Sequence, residues 1–422
     1  LILNKSKKKG RNKTMAIELT DEQIELKKEL RHWYTTLYKP YYYYSGAAGT
    51  GKTTVIKSFI SDMGFSDSEI ISAAYVGKAV LVLLRHGLRA CTIHSLIYRP
   101  VFETIETQVP DEYGNIRIIK KRKVKFVLKE RLDDDVKLII IDEAAMVNDT
   151  IRADLLSFGI PIIMLGDHNQ LPPVIGKSSI LDKPDFILTK IMRQAEGDPI
   201  IYFSQCILKD IPIDYGVYGK SEVVRSVSID RRILDDYDII ICAKNKTREN
   251  INSEIRSGVL KIPGNEPIIG EKMICRQNNW DECINGIFLT NGLVGYITNV
   301  DYSMLYHNVI LVDFQPDFMN ESFSCIPLDY KYLRSSIDER RDFGISEYNK
   351  FEYAYAITAH LSQGSEYDRV LFIDEWFRDA ELTKKMRYTA ITRARDKITI
   401  VKHEPKRFYN VRWDNNSYRK VV

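Results

Sequence analysis

Residues Gly46-Ala47-Ala48-Gly49-Thr50-Gly51-Lys52-Thr53 constrain this chain more than any other stretch. They fit G-x-x-x-x-G-K-[ST]. An aromatic run, Tyr41 to Tyr44, bounded by Pro40 and Gly46, reads as the strand before them, and Thr53 to Ile60 as the helix after. A glycine loop between strand and helix lets backbone N–H groups close around phosphate oxygens, and the helix N-terminus adds positive dipole. Lys52 is placed to hold β- and γ-phosphates and Thr53 to ligate Mg²⁺, so ATP and Mg²⁺ are the expected ligands and Gly46 to Thr54 their cradle. Such a unit belongs to an α/β fold with a mainly parallel sheet.

The rest of the chain supports that class. Ile70 to Tyr75, Val136 to Ile141 and Ile160 to Leu165 read as further buried strands, with helices between. Leu19-Thr20-Asp21-Glu22-Gln23 opens a helix capped by Thr20 or Asp21, with Ile24, Leu26 and Leu30 at helical spacing. At 422 residues the chain exceeds one core, and two to four domains are expected. Residues 19–98 and 135–195 form a first α/β domain. A hairpin at 99–134 interrupts it, turning at Asp111 to Asn115 and returning through a basic strand. A second α/β domain covers 196–265 and 351–422, with a strand at Tyr237 to Ala243. The strand-rich stretch 266–350, with turn signals at Asn291-Gly292 and Gly295, reads as a small β-barrel inserted into it.

Composition excludes some alternatives. With 44% hydrophobic and 28% charged residues the chain is a soluble globular one, and no window of 18 apolar residues suggests a membrane span. Six scattered cysteines, without CxxC pairs or a histidine cluster, read as free thiols of a reducing cytosol. The net charge of +4 is carried by the first 14 residues, with Lys5, Lys7, Lys8, Lys9, Arg11 and Lys13 and no acid. Residues 1–18 therefore read as a disordered basic arm. The first methionine is Met15, so residues 1–14 are expected to precede the native start; the competing reading is an arm that adds non-specific nucleic-acid affinity.

Three further elements carry chemistry. Leu138 to Ile141 runs into Asp142-Glu143 as a Walker B strand would, with Asp142 holding Mg²⁺ through water and Glu143 activating the attacking water. Gly166-Asp167-His168-Asn169-Gln170-Leu171-Pro172-Pro173 is a polar loop at a strand end, stiffened by two prolines. Alone it is an ordinary turn; downstream of these motifs it suits an element that senses the γ-phosphate. Phosphoryl transfer also needs positive charge on the transferred group, for which Arg193 and Arg393 are candidates.

The ordered series of Gln23, the P-loop, Thr92-Ile93-His94-Ser95, Asp142 to Ala145, Gly166 to Pro173, Arg193, Thr358 to Glu366 and Tyr388 to Ala394 resembles a superfamily 1B DNA helicase of the RecD/Dda type, over most of residues 19–401. The resemblance implies two RecA-like domains with ATP between them and an SH3-like barrel at 266–350. It implies that Gln23 reads adenine, that Asp167 and Gln170 sense the γ-phosphate, and that Arg193 and Arg393 reach across the cleft. Gly364 and Glu366 belong to the nucleotide side, and Gln363 to Glu366 couple nucleotide to DNA. Tyr75, Thr92, His94, Pro172, His360, Ser362 and Gln363 fall where the family meets the strand.

Single-stranded DNA and forked or tailed duplex DNA are the implied partners, with a single-strand-binding protein or replication proteins beside them, for a cytoplasmic, monomeric motor moving 5′ to 3′. The hairpin is the expected wedge. Lys120, Lys121, Arg122, Lys123 and Lys125 would meet phosphates, and Tyr113 or Phe126 would cap the last base pair. Two departures bear on the strand grip: Leu361 follows His360 where a basic residue is usual, and Tyr75-Val76 replaces a usual Pro-Thr. Alternative readings are an RNA helicase of the related viral or Upf1-like type and an ATP-switched nucleic-acid-binding accessory protein with little unwinding. The presence of Glu143 and both arginines argues against the switch, which needs no water activator.

Overall fold

The computed structural model describes residues 19–110, 116–172, 183–191, 197–284, 287–341, 343, 346 and 348–402. Strands form where apolar, β-branched runs are covered on both faces. Leu138–Ile141 is buried at every position, as are Ile70–Ala74 and Ile162–Gly166. The first sheet has the order Ala90–Thr92, Ile70–Ala74, Leu138–Ile141, Ile162–Gly166, Tyr41–Gly46, Phe186–Leu188. Every pair in it is parallel. The strand entering the P-loop therefore lies beside the strand entering Gly166-Asp167, and that one lies beside the strand entering Asp142. Parallel strands put their carboxyl-end loops on one edge, so three motifs far apart in the chain become neighbours.

Helix Asp21–Thr36 begins on Thr20 in a capping box with Gln23. Its inward stripe is Gln23, Leu26, Leu30 and Trp33. Ile24, expected on that stripe, is 38% exposed. It lies one residue, about 100° of helix rotation, from Gln23, so the face that buries Leu26 and Leu30 turns it outward.

Tyr98–Pro110 and Ile116–Leu128 pair as an antiparallel hairpin, in unbroken register from Tyr98↔Leu128 to Pro110↔Ile116. The turn at 111–115, including Tyr113, lies outside the described residues. The root is fastened by Lys129, whose N–H bonds the Ile97 carbonyl and whose Nζ bonds the Ser95 and Leu96 carbonyls, all at 2.8 Å.

The second six-stranded sheet has the order Ala356–Thr358, Ile239–Cys242, Tyr367–Asp374, Ala394–Lys402, Ser221–Val224, Gly216–Tyr218. Only the last pair is antiparallel. Between Cys242 and Ala356 the chain builds a separate antiparallel sheet: Phe323–Asp329, Val309–Pro316, Val294–Asp301, Lys272–Cys275, Phe351–Tyr353. Asn349 bridges back to Leu328 and closes it. Phe351–Tyr353 thus belongs to the inserted sheet, not to the second α/β domain as expected. Phe351 pairs with Cys275 and its ring packs on Phe314 at 5.0 Å, so burial holds it there. A two-stranded ribbon, Asn279–Ile284 with Ile287–Leu289, projects from the insertion.

Candidate nucleotide cleft and nucleic-acid groove

The three carboxyl-end loops of the first sheet face Gly364, Glu366, Thr392 and Arg393 of the second α/β domain across a cavity of about 420 Å³. Ala47, Ala48, Gly49, Gly51, Lys52, Thr53 and Thr54 form one wall, with Asp142, Glu143, Asp167 and Gln170 beside them. Gly51 starts helix Lys52–Met63 at φ +76° with no side-chain cap, and the helix start at Lys52 and Thr53 lies on the cavity wall, where a helix N-terminus favours an anion. Lys52 Nζ donates to the Gly46 carbonyl at 2.7 Å. Gly46 and Thr50 do not line the cavity. Thr50 is buried and its hydroxyl donates to Ala47 O at 2.9 Å, shaping the loop from behind.

Asp142 accepts from the Glu143 N–H at 2.8 Å. Burial and the adjacent Glu143 carboxylate push its carboxyl up to about 6, against the pull of that N–H and of Lys52. Glu143 takes a left-handed backbone at φ +52°, a conformation that costs a side-chain-bearing residue on the order of 1–2 kcal/mol. Its carboxylate lies 3.9 Å from the guanidinium of Arg393. Arg393 is buried and aimed by the Thr389 and Ser365 carbonyls, both at 3.1 Å. The two groups expected to act on the attacking water and on the transferred phosphoryl thus face each other across the domain boundary. Gln170 is buried and its Oε1 has no partner among the described residues. A buried orphan acceptor on the wall is what a cleft for a hydrogen-bonding ligand requires. The hydroxyl of Thr53 and the carboxylate of Asp142 are hard oxygen donors on the same cavity, a set that fits Mg²⁺.

Other expected residues are placed differently. Gln23 is fully buried and does not line the cavity. Its Oε1 accepts from Thr20 N at 3.0 Å and its Nε2 donates to Thr50 O at 2.9 Å, so its amide ties the first helix to the P-loop. Arg193 and Pro173 lie outside the described residues. His86, with no sequence signal, lines the cavity beside Ala79 and Val82, its pKa lowered by burial and by Lys57.

The loop after Gly166 is gripped from the second domain. Leu171 N–H donates to Thr389 Oγ1 at 3.0 Å, and Leu171 O accepts from Gln363 Nε2 at 2.7 Å. The Leu171 side chain is buried in the second domain's core with Phe203, Met386 and Ala390. Asp167, buried, accepts from the hydroxyl of Tyr388. Leu171, Tyr388 and Thr389 have no individual role in the sequence reading. Their signal is the Tyr388 to Ala394 motif itself, whose facing residues only the fold reveals.

A second cavity, about 180 Å³, lies between the first domain, the insertion and the second domain. Tyr75, Val76, Asn291, Gly292, His360, Leu361 and Gln363 line it. Gly364 sits at φ +69°, and a Cβ there would come within 2.3 Å of Val76 Cγ2, so the two domains meet too closely at this point for any side chain. Thr92 and Ser362, expected to face the strand, are buried instead. Thr92 caps the helix Ile93–Ile97 through Ser95 N, and Ser362 donates to Ala359 O at 2.8 Å. His94 is the hub of an aromatic cluster, 5.5 Å from Tyr75, 5.7 Å from Tyr98 and 5.6 Å from Trp280. Phe126 packs on Trp280 at 4.5 Å. Phe126, expected to cap the last base pair, stands near the root of the hairpin rather than at its tip. It pairs with Pro100 at the hairpin root, where its ring joins the hairpin to the inserted ribbon.

Residues 19–206 match the family described as an AAA domain, and residues 353–401 the family described as a UvrD-like helicase C-terminal domain. The chain is 30% identical to the RecBCD enzyme subunit RecD of Buchnera aphidicola subsp. Acyrthosiphon pisum, over 88% of this chain and 71% of that one. It is 24% identical to the ATP-dependent RecD2 DNA helicase of Deinococcus radiodurans, over 84% of this chain and 46% of that one. The chain spans less than half the length of several of the curated relatives it matches. A solved structure of Pif1 helicases, described as concerning unwinding at forked duplex DNA, superposes with a TM-score of 0.52 at 21% identity, covering 92% of each chain, and this likeness shows the fold.

Proposed function

The chain belongs to the RecD-like helicases of superfamily 1, and on that premise we propose that it is an ATP-dependent DNA helicase that moves 5′ to 3′ on single-stranded DNA and unwinds the duplex ahead of it. The observation that carries the reading is the convergence of Lys52, Asp142, Glu143, Gln170 and Arg393 on one cavity between two α/β domains. Lys52 and the loop N–H groups bind the phosphates. Glu143 accepts the proton of the attacking water, and Arg393 stabilises charge on the transferred phosphoryl group from the other domain. Thr53 and Asp142 would hold Mg²⁺, which when bound neutralises phosphate charge. Because the groups that meet the phosphates come from both domains, the ATP and ADP states differ in the contacts that close the cleft, and that difference drives stepping.

The groove lined by Tyr75, His360 and Gln363 is the proposed strand path. Gln363 sits on that groove and bonds the Leu171 carbonyl of the loop that carries Gln170, which supports a direct route from phosphate to strand. The hairpin is the proposed wedge. The direction of movement rests on the family resemblance alone. A single-strand-binding protein and replication proteins are proposed as further partners.

The test is unwinding of duplexes with a 5′ or a 3′ single-stranded tail, in DNA and RNA versions, with Lys52→Ala as control. Unwinding of 5′-tailed DNA, abolished by Lys52→Ala, is expected. Unwinding from 3′ tails overturns the direction. Stimulation by RNA in preference to DNA transfers the reading to an RNA helicase, and strand binding without turnover transfers it to a switch.

A further inference from the structure

Tyr388 lies on helix Ala380–Ile391 of the second domain, its ring fully buried. Its hydroxyl makes two bonds among the described residues, both into the first domain. It accepts from the Ala48 N–H of the P-loop at 3.0 Å, and it donates to Asp167 Oδ2. The other oxygen of Asp167 is occupied by Asn169 N at 3.0 Å and Asn169 Nδ2 at 3.1 Å. Burial, reinforced by Asp167, raises the Tyr388 pKa well above its ordinary value, so the hydroxyl keeps its proton and stays a donor to Asp167 at all working pH. The Ala48 N–H has one proton to give. Held by Tyr388 it is withdrawn from an anion in the cradle, and given to an anion it releases one anchor of the helix that also carries Thr389 and leads to Arg393.

We infer that Tyr388 is a positioning residue that reads occupancy of the P-loop: its hydroxyl competes with bound phosphate for the Ala48 N–H and, through Asp167, passes the outcome to the loop that bears Gln170. The inference rests on the proposed ATPase reading and adds to it the part that links nucleotide to the second domain. Thr389, the next residue, holds Leu171 N–H at the other end of that loop, so one helical turn grips both ends of the segment from Asp167 to Leu171. Movement of the helix at Tyr388 is thereby shared with Gln170, between the two anchors, and with Arg393, just beyond the helix end.

The experiment is Tyr388→Phe, which keeps the ring and its packing, measured by steady-state ATP hydrolysis with saturating single-stranded DNA and by binding of a non-hydrolysable ATP analogue. Freeing the Ala48 N–H is expected to tighten analogue binding about threefold or more, while loss of the Asp167 bond lowers kcat about tenfold. A structural defect would weaken both, so the opposed changes are diagnostic. Weaker analogue binding, or kcat within twofold of wild type, overturns the inference. Asp167→Asn is the second variant. It is expected to lower kcat non-additively with Tyr388→Phe, and full additivity counts against the shared path. Wild-type turnover separates the two claims: a wild type without ATPase activity defeats the functional reading, whereas an active wild type with an indifferent Tyr388→Phe defeats only this inference.

Discussion

At the scale of single residues the cleft is arranged by carboxylates in unequal surroundings. Asp142 is sunk at a strand end, where loss of water and the neighbouring Glu143 raise its pKa to about 6, a site that favours a cationic ligand over an isolated charge. Glu143, one residue further, leaves the strand through a left-handed turn and faces Arg393. Glu143→Gln keeps the size of the side chain and removes its basicity. The expected result is a kcat lowered by about 10²–10⁴-fold with KM for ATP changed only a few-fold. Turnover within tenfold of wild type would show that another group activates the water. These residues are legible in the sequence, because a P-loop and an apolar strand ending in Asp-Glu are local patterns. Gln23 is the contrary case at the same scale. The capping box that identifies its helix also consumes its amide, and no local pattern says that Thr50 O waits on the other side.

At the scale of elements the decisive piece is the short loop from Asp167 to Leu171. Its tether to Ser45, through His168 N at 3.0 Å, fixes it to the P-loop strand, while Leu171 is planted in the other domain's core. The loop thus belongs to both domains at once, which is what a coupling element needs. Leu171→Ala removes that plug without touching the backbone bonds to Thr389 and Gln363. It is expected to cost about 2–5 kcal/mol of stability in denaturant melts and to reduce stimulation of ATPase by single-stranded DNA. Retention of full stimulation would place coupling in the hydrogen bonds alone. The hairpin is the complementary case. Its existence and its basic return strand follow from alternation and turn residues. Its root is set by rings brought together from residues 94, 126 and 280, a contact between distant segments that alternation cannot foretell.

At the scale of the whole molecule the insertion is keyed to the second domain by buried charge. Glu352 accepts from Tyr332 and faces Arg248, Arg276 and Arg340. Burial alone would raise its pKa, but the three arginines outweigh it and hold the carboxyl at about 2, below the ordinary 4.5. A depressed folded-state pKa stabilises above the unfolded value, and that contribution is lost as pH falls from about 4.5 towards 2. Glu352→Gln is therefore expected to lower Tm at neutral pH, and its deficit relative to wild type should shrink across that acid window. A deficit independent of pH would mean that packing, not charge, holds the joint.

By itself the sequence determined the α/β class, the phosphate-binding loop, the acidic strand end, the polar loop after Gly166 and the presence of a hairpin and a strand-rich insertion. Each is written in residues close together in the chain, where backbone sterics and hydrophobic period act. Only the tertiary structure decided that the three loops share one edge, because strand order is a matter of which buried faces fit. It alone decided that Thr92, Ser362 and Gln23 spend their polar atoms inside the protein, that Phe126 serves the hairpin root, and that Tyr388 reaches the P-loop from a separate domain. Those outcomes depend on contacts between residues far apart in the chain, whose partners are chosen by packing and by the cost of leaving a buried polar group unpaired.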